Sequence, residues 1–153
     1  MSALARGIAF AGAALISLAA LAAGEHGSVE EAHALVKKAI AYYDKVGRDK
    51  AFADFSRSPG PFVDRDLYVV VYDMEGRSLA HINPKMVGKN LIDMRDGDGR
   101  YLVKERAEAA RTATNGWQDI RFFNPISKKV QPKRVYWERH GDLLFSSGAY
   151  KEH

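Results

Sequence analysis

Gly116–Tyr150 reads GWQDIRFFNPISKKVQPKRVYWERHGDLLFSSGAY, and this stretch decides the fold. Three apolar or aromatic runs, Trp117–Phe123, Val135–Trp137 and Leu143–Phe145, are separated by Asn124-Pro125 with Lys128-Lys129, and by His140-Gly141-Asp142. Short aromatic and β-branched runs punctuated by Pro, Asn, Gly and Asp predict an antiparallel meander. Pro125 and Pro132 cannot donate to a ladder, so both are expected outside the central paired segment. Side chains alternate across a strand, so Trp117, Asp119, Arg121 and Phe123 share one face and Gln118, Ile120 and Phe122 the other. The first set, aromatic walls with one acid and one guanidinium, reads as a pocket face. The second reads as a core face.

Working outward, Ser28-Val29-Glu30-Glu31 has the form of a capping box. Val29, Ala32, Val36, Ala39, Ile40, Tyr43 and Val46 then recur at helical spacing and predict a helix over Val29–Val46 that Gly47 stops. Asp49 is placed to cap a short helix through Lys50–Ser56, and Ser58-Pro59-Gly60-Pro61 breaks it. Strands are predicted over Leu67–Tyr72 and Ser78–Ile82 around the turn Asp73-Met74-Glu75-Gly76. A polar loop runs from Lys85 to Gly99, and Tyr101–Thr114 reads as a helix that Gly116 ends. Helices grouped beside an antiparallel sheet make the chain α+β.

The first 23 residues carry a different message. Arg6 precedes an apolar run, Ile8–Ala23, and Ala20-Leu21-Ala22 fits the small-x-small pattern of a cleavage site. The run is short for a membrane span of ~20 residues, so residues 1–23 are expected to be a cleaved signal peptide and the mature protein periplasmic or secreted. No second apolar stretch follows, which predicts no membrane span after cleavage.

The chain of 153 residues is enough for one domain. It has no cysteine, which removes disulfides, thiolate metal sites, thiol nucleophiles and covalent c-type haem. A net charge of +4 with scattered basic residues suits small anionic ligands, and without a basic stripe or motif it predicts no nucleic-acid partner. Met94-Arg95-Asp96-Gly97-Asp98-Gly99 with Glu105 imitates a calcium loop, but the first ligand position falls on Met94, which offers no hard oxygen. His26, His33, His81, His140 and His153 form no metal-ligand spacing. Ser146 and Ser147 lack a nucleophile elbow or an acid–His pair, and no Gly-rich loop precedes a Walker lysine. No cofactor, no metal and no catalysis are therefore expected.

A basic and aromatic set remains: Tyr72, Tyr101, Trp117, Arg121, Phe123, Lys133 and Tyr136, with His81 beside Asn83-Pro84. A small carboxylate needs cationic and hydroxyl donors in an apolar wall. Arg121, Lys133 and Tyr136 supply donors, while Trp117, Phe123 and Tyr101 supply wall. Asp119 is expected to pair with one of the two cations. Positions 133 and 136 alternate to opposite faces, so either Lys133 precedes the strand or only one of the two lines a pocket.

Gly116-Trp117, Asn124-Pro125, Pro132-Lys133 with Tyr136, and Ser147-Gly148 with Tyr150 occur in an order that resembles the bacterial single Cache sensor domain. Asn83-Pro84, Val87-Gly88-Lys89 and Leu91 resemble an earlier element of the same family. The resemblance covers residues 28–151 and implies a PAS-like five-stranded antiparallel sheet with a long N-terminal helix. It also implies extracellular sensing of a small organic acid such as a C2–C4 carboxylate, on behalf of chemoreceptors and sensor kinases. Ile120, Phe122-Phe123 and Lys128 depart from the family pattern at a tyrosine, a Trp-Pro pair and a turn glycine. With no membrane helix or signalling module before His153, the reading is a free-standing domain. Such a domain binds its ligand alone, hands its state to a membrane-bound signalling protein, or is the remnant of a receptor. The alternative is a structural or interaction protein with a Cache-like fold and no functional pocket.

Overall fold

The computed structural model describes residues 24–151. The signal-peptide expectation and His153 lie outside the described residues. Helix α1, Val29–Val46, starts at the expected capping box: Ser28 Oγ accepts from the Glu31 N–H at 3.1 Å, and the Glu31 carboxylate accepts from the Ser28 N–H at 2.7 Å. Ala32, Val36 and Ala39 form its buried stripe. Gly47 ends the helix at φ 84°, and its carbonyl accepts from Ala51 N–H to open α2, Arg48–Phe55. One left-handed glycine thus closes one helix and opens the next, so α2 begins at Arg48, before the expected Asp49 cap.

Seven strands follow: β1 Val63–Asp64, β2 Leu67–Tyr68, β3 Val70–Asp73, β4 Ser78–Ala80, β5 Asn115–Phe123, β6 Val130–His140 and β7 Leu143–Tyr150. The first two pair with each other, and the rest make a five-stranded antiparallel sheet in the order β4-β3-β7-β6-β5. The chain is α+β, with a long N-terminal helix against that sheet. The run expected as one strand, Leu67–Tyr72, divides at Val69 because its two halves pair with different partners, β1 and β7.

Pro132 lies inside β6, opposite Arg121 of β5, and not outside the ladder as expected. Its carbonyl accepts from Lys151 N–H, so its missing N–H faces the end of β7 and removes no bond to β5. Helix α3, Leu102–Ala109, stops short of the expected Thr114. Past Ala110 the chain turns through Arg111 N–H to Glu108 and Thr112 N–H to Ala109.

Both sheet faces are covered. Helices α1 and α2 bury one face with Val36, Ala39 and Phe55 against Val71, Tyr136 and Phe145. On the other face Tyr68, Tyr72, Val135 and Leu144 lie beneath Leu91, Leu102 and Val103, from the loop 83–101 and α3. The hollow of the molecule is in this second layer.

Candidate functional site

Between the second face and its cover lies a cavity of about 270 Å³. Tyr68, Val70 and Tyr72 project into it from β2 and β3, Ile120 and Phe122 from β5, and Lys133 and Val135 from β6. Met86, Met94 and Leu102 roof it. The strand faces are therefore the reverse of the expectation. The set Gln118, Ile120 and Phe122 faces the hollow side, and Trp117, Asp119 and Arg121 face away. Alternation separates two faces but cannot name the hollow one when helices cover one side and a loop with α3 covers the other.

Lys133 and Arg106 are the two cations that line this cavity. Lys133 is only 5% exposed. Its Nζ donates to Tyr68 Oη at 3.1 Å and Tyr150 Oη at 3.4 Å, and stands 4.2 Å and 4.5 Å from the centroids of those two rings. Tyr150 Oη in turn donates to the Phe123 carbonyl at 2.7 Å, and burial holds its hydroxyl well above the ordinary phenol range. No carboxylate pairs with Lys133 among the described residues. An ammonium has three donors. Two are spent on the tyrosines, and the third is open. Gly148, on the neighbouring strand, is what lets the lysine lie here, since a Cβ at 148 would come within 2.9 Å of Lys133 Cε.

His81 meets the same spot. Burial first, and the Lys133 cation second, lower its pKa to about 4, so the ring is neutral near pH 7. Asn83 N–H donates to its Nδ1 at 2.9 Å, which fixes the proton of the neutral ring on Nε2. Its ring lies 5.8 Å from that of Tyr68. Lys133, Tyr68 and His81 thus line one cavity together.

A second buried cation, Arg106 of α3, is 3% exposed. Its Nε and Nη2 donate to Gln118 Oε1 at 3.2 and 2.9 Å, and its Nη1 donates to Ser146 Oγ at 3.1 Å. Its guanidinium carbon lies 5.9 Å from the Tyr72 ring. Burial lowers its pKa from the usual arginine value, and it has no carboxylate partner among the described residues.

Of the residues singled out from sequence, Tyr72, His81, Phe123 and Lys133 line the cavity. Phe123 borders it where its carbonyl takes the Tyr150 proton. The other four lie elsewhere. Trp117 and Tyr136 pack on each other and on half-buried His33 of α1, on the opposite face, with Tyr136 4.4 Å from His33. Tyr136 Oη donates to Glu138 Oε2 at 2.7 Å. Arg121 sits at the surface 3.6 Å from Asp98. Tyr101 stacks under Arg95 at 3.8 Å outside the cavity. Asp119 pairs with neither expected cation; it bonds Arg134 at 2.7 Å and Lys151 at 3.1 Å. Asp96 caps its own turn, its Oδ1 accepting from Asp98 and Arg100 N–H at 2.9 Å, and no three acidic or histidine residues gather as a metal set among the described residues.

Sequence reasoning missed Tyr68, Arg106 and Ser146. Tyr68 has a signal, since it shares the face of Tyr72 at strand period. So does Arg106, which stands three and four residues after the buried Val103 and Leu102 on an apolar helix stripe.

A family model described as single Cache domain 2 matches residues 13–142. Similar solved structures include a methyl-accepting chemotaxis protein from Vibrio parahaemolyticus RIMD 2210633, with TM-score 0.69 and 22% identity over 79% of this chain and 86% of that one. A periplasmic sensor domain of a chemotaxis protein aligns with TM-score 0.63 and 26% identity over 81% and 90%. A structure described as showing carboxylic acid recognition by a Cache chemosensory domain aligns with TM-score 0.69 and 18% identity over 80% and 92%. No curated protein matches the chain.

Proposed function

The chain belongs to the single Cache domain 2 family of extracellular ligand-sensing domains, and from that premise we propose that its cavity binds a small organic acid of the C2–C4 class. The observation that carries this reading is Lys133, a cation 5% exposed with no carboxylate partner among the described residues. Burying an unpaired charge is costly, and an anionic ligand supplies the missing countercharge. The carboxylate sits against the third Lys133 N–H, the Tyr68 hydroxyl and His81 Nε2–H. Ile120, Phe122 and the roofing methionines take the short alkyl part. At about 270 Å³ the cavity falls just under the ~300–1,000 Å³ of drug-sized sites, which suits a small acid.

Binding here involves no chemistry on the ligand. The domain reports its occupied state to a membrane-bound signalling partner, a role supported by the chemotaxis proteins it resembles. A fold without a functional pocket is disfavoured because Ile120 lines the cavity and does not fill it. The test is a thermal-shift screen with C2–C4 mono- and dicarboxylates followed by calorimetry. A melting temperature that rises with the concentration of one acid, and does not rise in Lys133→Met, supports the reading. No response to any of these acids in the parent protein overturns it.

A further inference from the structure

The β5–β6 hairpin tip borders the cavity through Phe123 and Pro125 and carries an apolar, basic surface on its outside. Of the five large apolar side chains most open to solvent among the described residues, three lie on it: Phe123 at 49%, Ile126 at 59% and Val130 at 49%. Phe123 and Val130 are cross-strand partners, so they form one surface with the turn between them. That turn carries Lys128 and Lys129, both exposed and without a carboxylate partner among the described residues. Buried Asn124 holds its shape by accepting from Ile126 N–H at 2.8 Å and donating to Gln131 Oε1 at 2.9 Å. The apolar residues are therefore presented by a formed turn.

The position of the tip matters as much as its composition. Lys151 N–H bonds the Pro132 carbonyl and Lys133 pairs with Tyr150, so Val130 lies beyond the end of β7 along β6. The first turn of α1 is at this end too, because Val29 and Ala32 pack with Leu67 and Ala149. Gly24, the first described residue, is at this end as well, where Arg65 Nη1 donates to its carbonyl at 3.3 Å. The other turn, Gly141-Asp142, is at the far end of the same strands.

We propose that the β5–β6 tip docks on an anionic membrane surface, with Phe123, Ile126 and Val130 entering the interface and Lys128 and Lys129 meeting lipid phosphates. A small apolar patch flanked by lysines has the two contributions that interfacial binding requires, buried apolar area and attraction to anionic headgroups. A protein partner built to match the patch would need acidic groups around an apolar hole. An anionic bilayer offers both over any orientation of the tip. This inference does not rest on which ligand the cavity holds.

The absence of cysteine makes the test direct. In the full chain, Ile126→Cys and, separately, Asp142→Cys are labelled with an environment-sensitive fluorophore and mixed with phosphatidylglycerol-containing or pure phosphatidylcholine vesicles. The expected result is a blue-shifted label at 126, quenched by lipid-borne quenchers, in the anionic vesicles, while the label at 142 stays in water. Adding Lys128→Gln and Lys129→Gln lowers the apparent affinity of the 126 label for anionic vesicles about tenfold or more. Three results overturn the proposal: a 126 label that remains in water, labels at 126 and 142 that respond alike, and a 126 response that follows protein concentration without lipid. The last would mark a contact between copies of the chain.

Discussion

Lys133 and Tyr136 stand three residues apart on β6 and on opposite faces of the sheet. The Lys133 ammonium lies 3.1 Å from Tyr68 Oη inside the cavity, whereas the Tyr136 ring packs 4.4 Å from His33 beneath α1. Only the lysine can meet a ligand in the cavity, and the mutational expectations divide accordingly.

Lys133→Met is expected to weaken binding of the best acid from the screen by about tenfold to a hundredfold, since a charge-assisted hydrogen bond contributes roughly 1.5–3 kcal/mol. Arg121→Ala and Tyr136→Phe are expected to bind within about twofold of the parent, because both side chains lie outside the cavity. Calorimetry on the three variants, with circular dichroism confirming the fold, makes the comparison. Loss in Arg121→Ala with retention in Lys133→Met would put the site on the outer face.

Gly148→Ala tests the same lysine from the neighbouring strand. The added methyl would come within 2.9 Å of both Lys133 Cε and the Arg134 carbonyl. The expected outcome is a folded protein with weaker acid binding and a stability loss of about 1–3 kcal/mol from overpacking. Urea unfolding and calorimetry measure the two effects, and unchanged affinity would show that the lysine does not need this gap.

His81 makes stability depend on pH. Its folded-state pKa is about 4, below the ordinary histidine value of 6.5, so the unfolded chain binds the proton more readily. The contribution is fully present above pH 6.5 and is lost as pH falls toward 4, by up to roughly 3 kcal/mol. Urea unfolding at a series of pH values is expected to show this fall in the parent and a flatter profile in His81→Gln. Parallel profiles would assign the slope to other groups.

Export is expected from the segment ahead of the domain. Expressed in a bacterium, the protein should appear outside the cytoplasm with a new N-terminus near Ala23. Intact-mass measurement of a membrane-bound product that retains residues 1–22 would contradict this.

Much of the architecture was legible along the chain because local chemistry specifies it. Ser28 and Glu31 mark the start of α1, Gly47 its end, and the aromatic runs of 116–150 the meander. The motifs around Trp117, Asn124-Pro125 and Ser147-Gly148 point to the family for the same reason: they are short and contiguous. Lys133 and His81 were legible as cavity residues, one from its motif and one from its place at a strand end. The site as a whole was not. Tyr68, His81 and Lys133, the donors of the proposed site, lie on separate elements and meet only when β2, β6 and the chain after β4 are brought together. Strand alternation placed Ile120 and Arg121 on different faces but held no information about which face a loop would cover loosely and which a helix would close. That choice belongs to tertiary packing: Val36 and Phe55 fill one layer, Met86 and Met94 only roof the other, and the buried lysine is left facing the cavity between them.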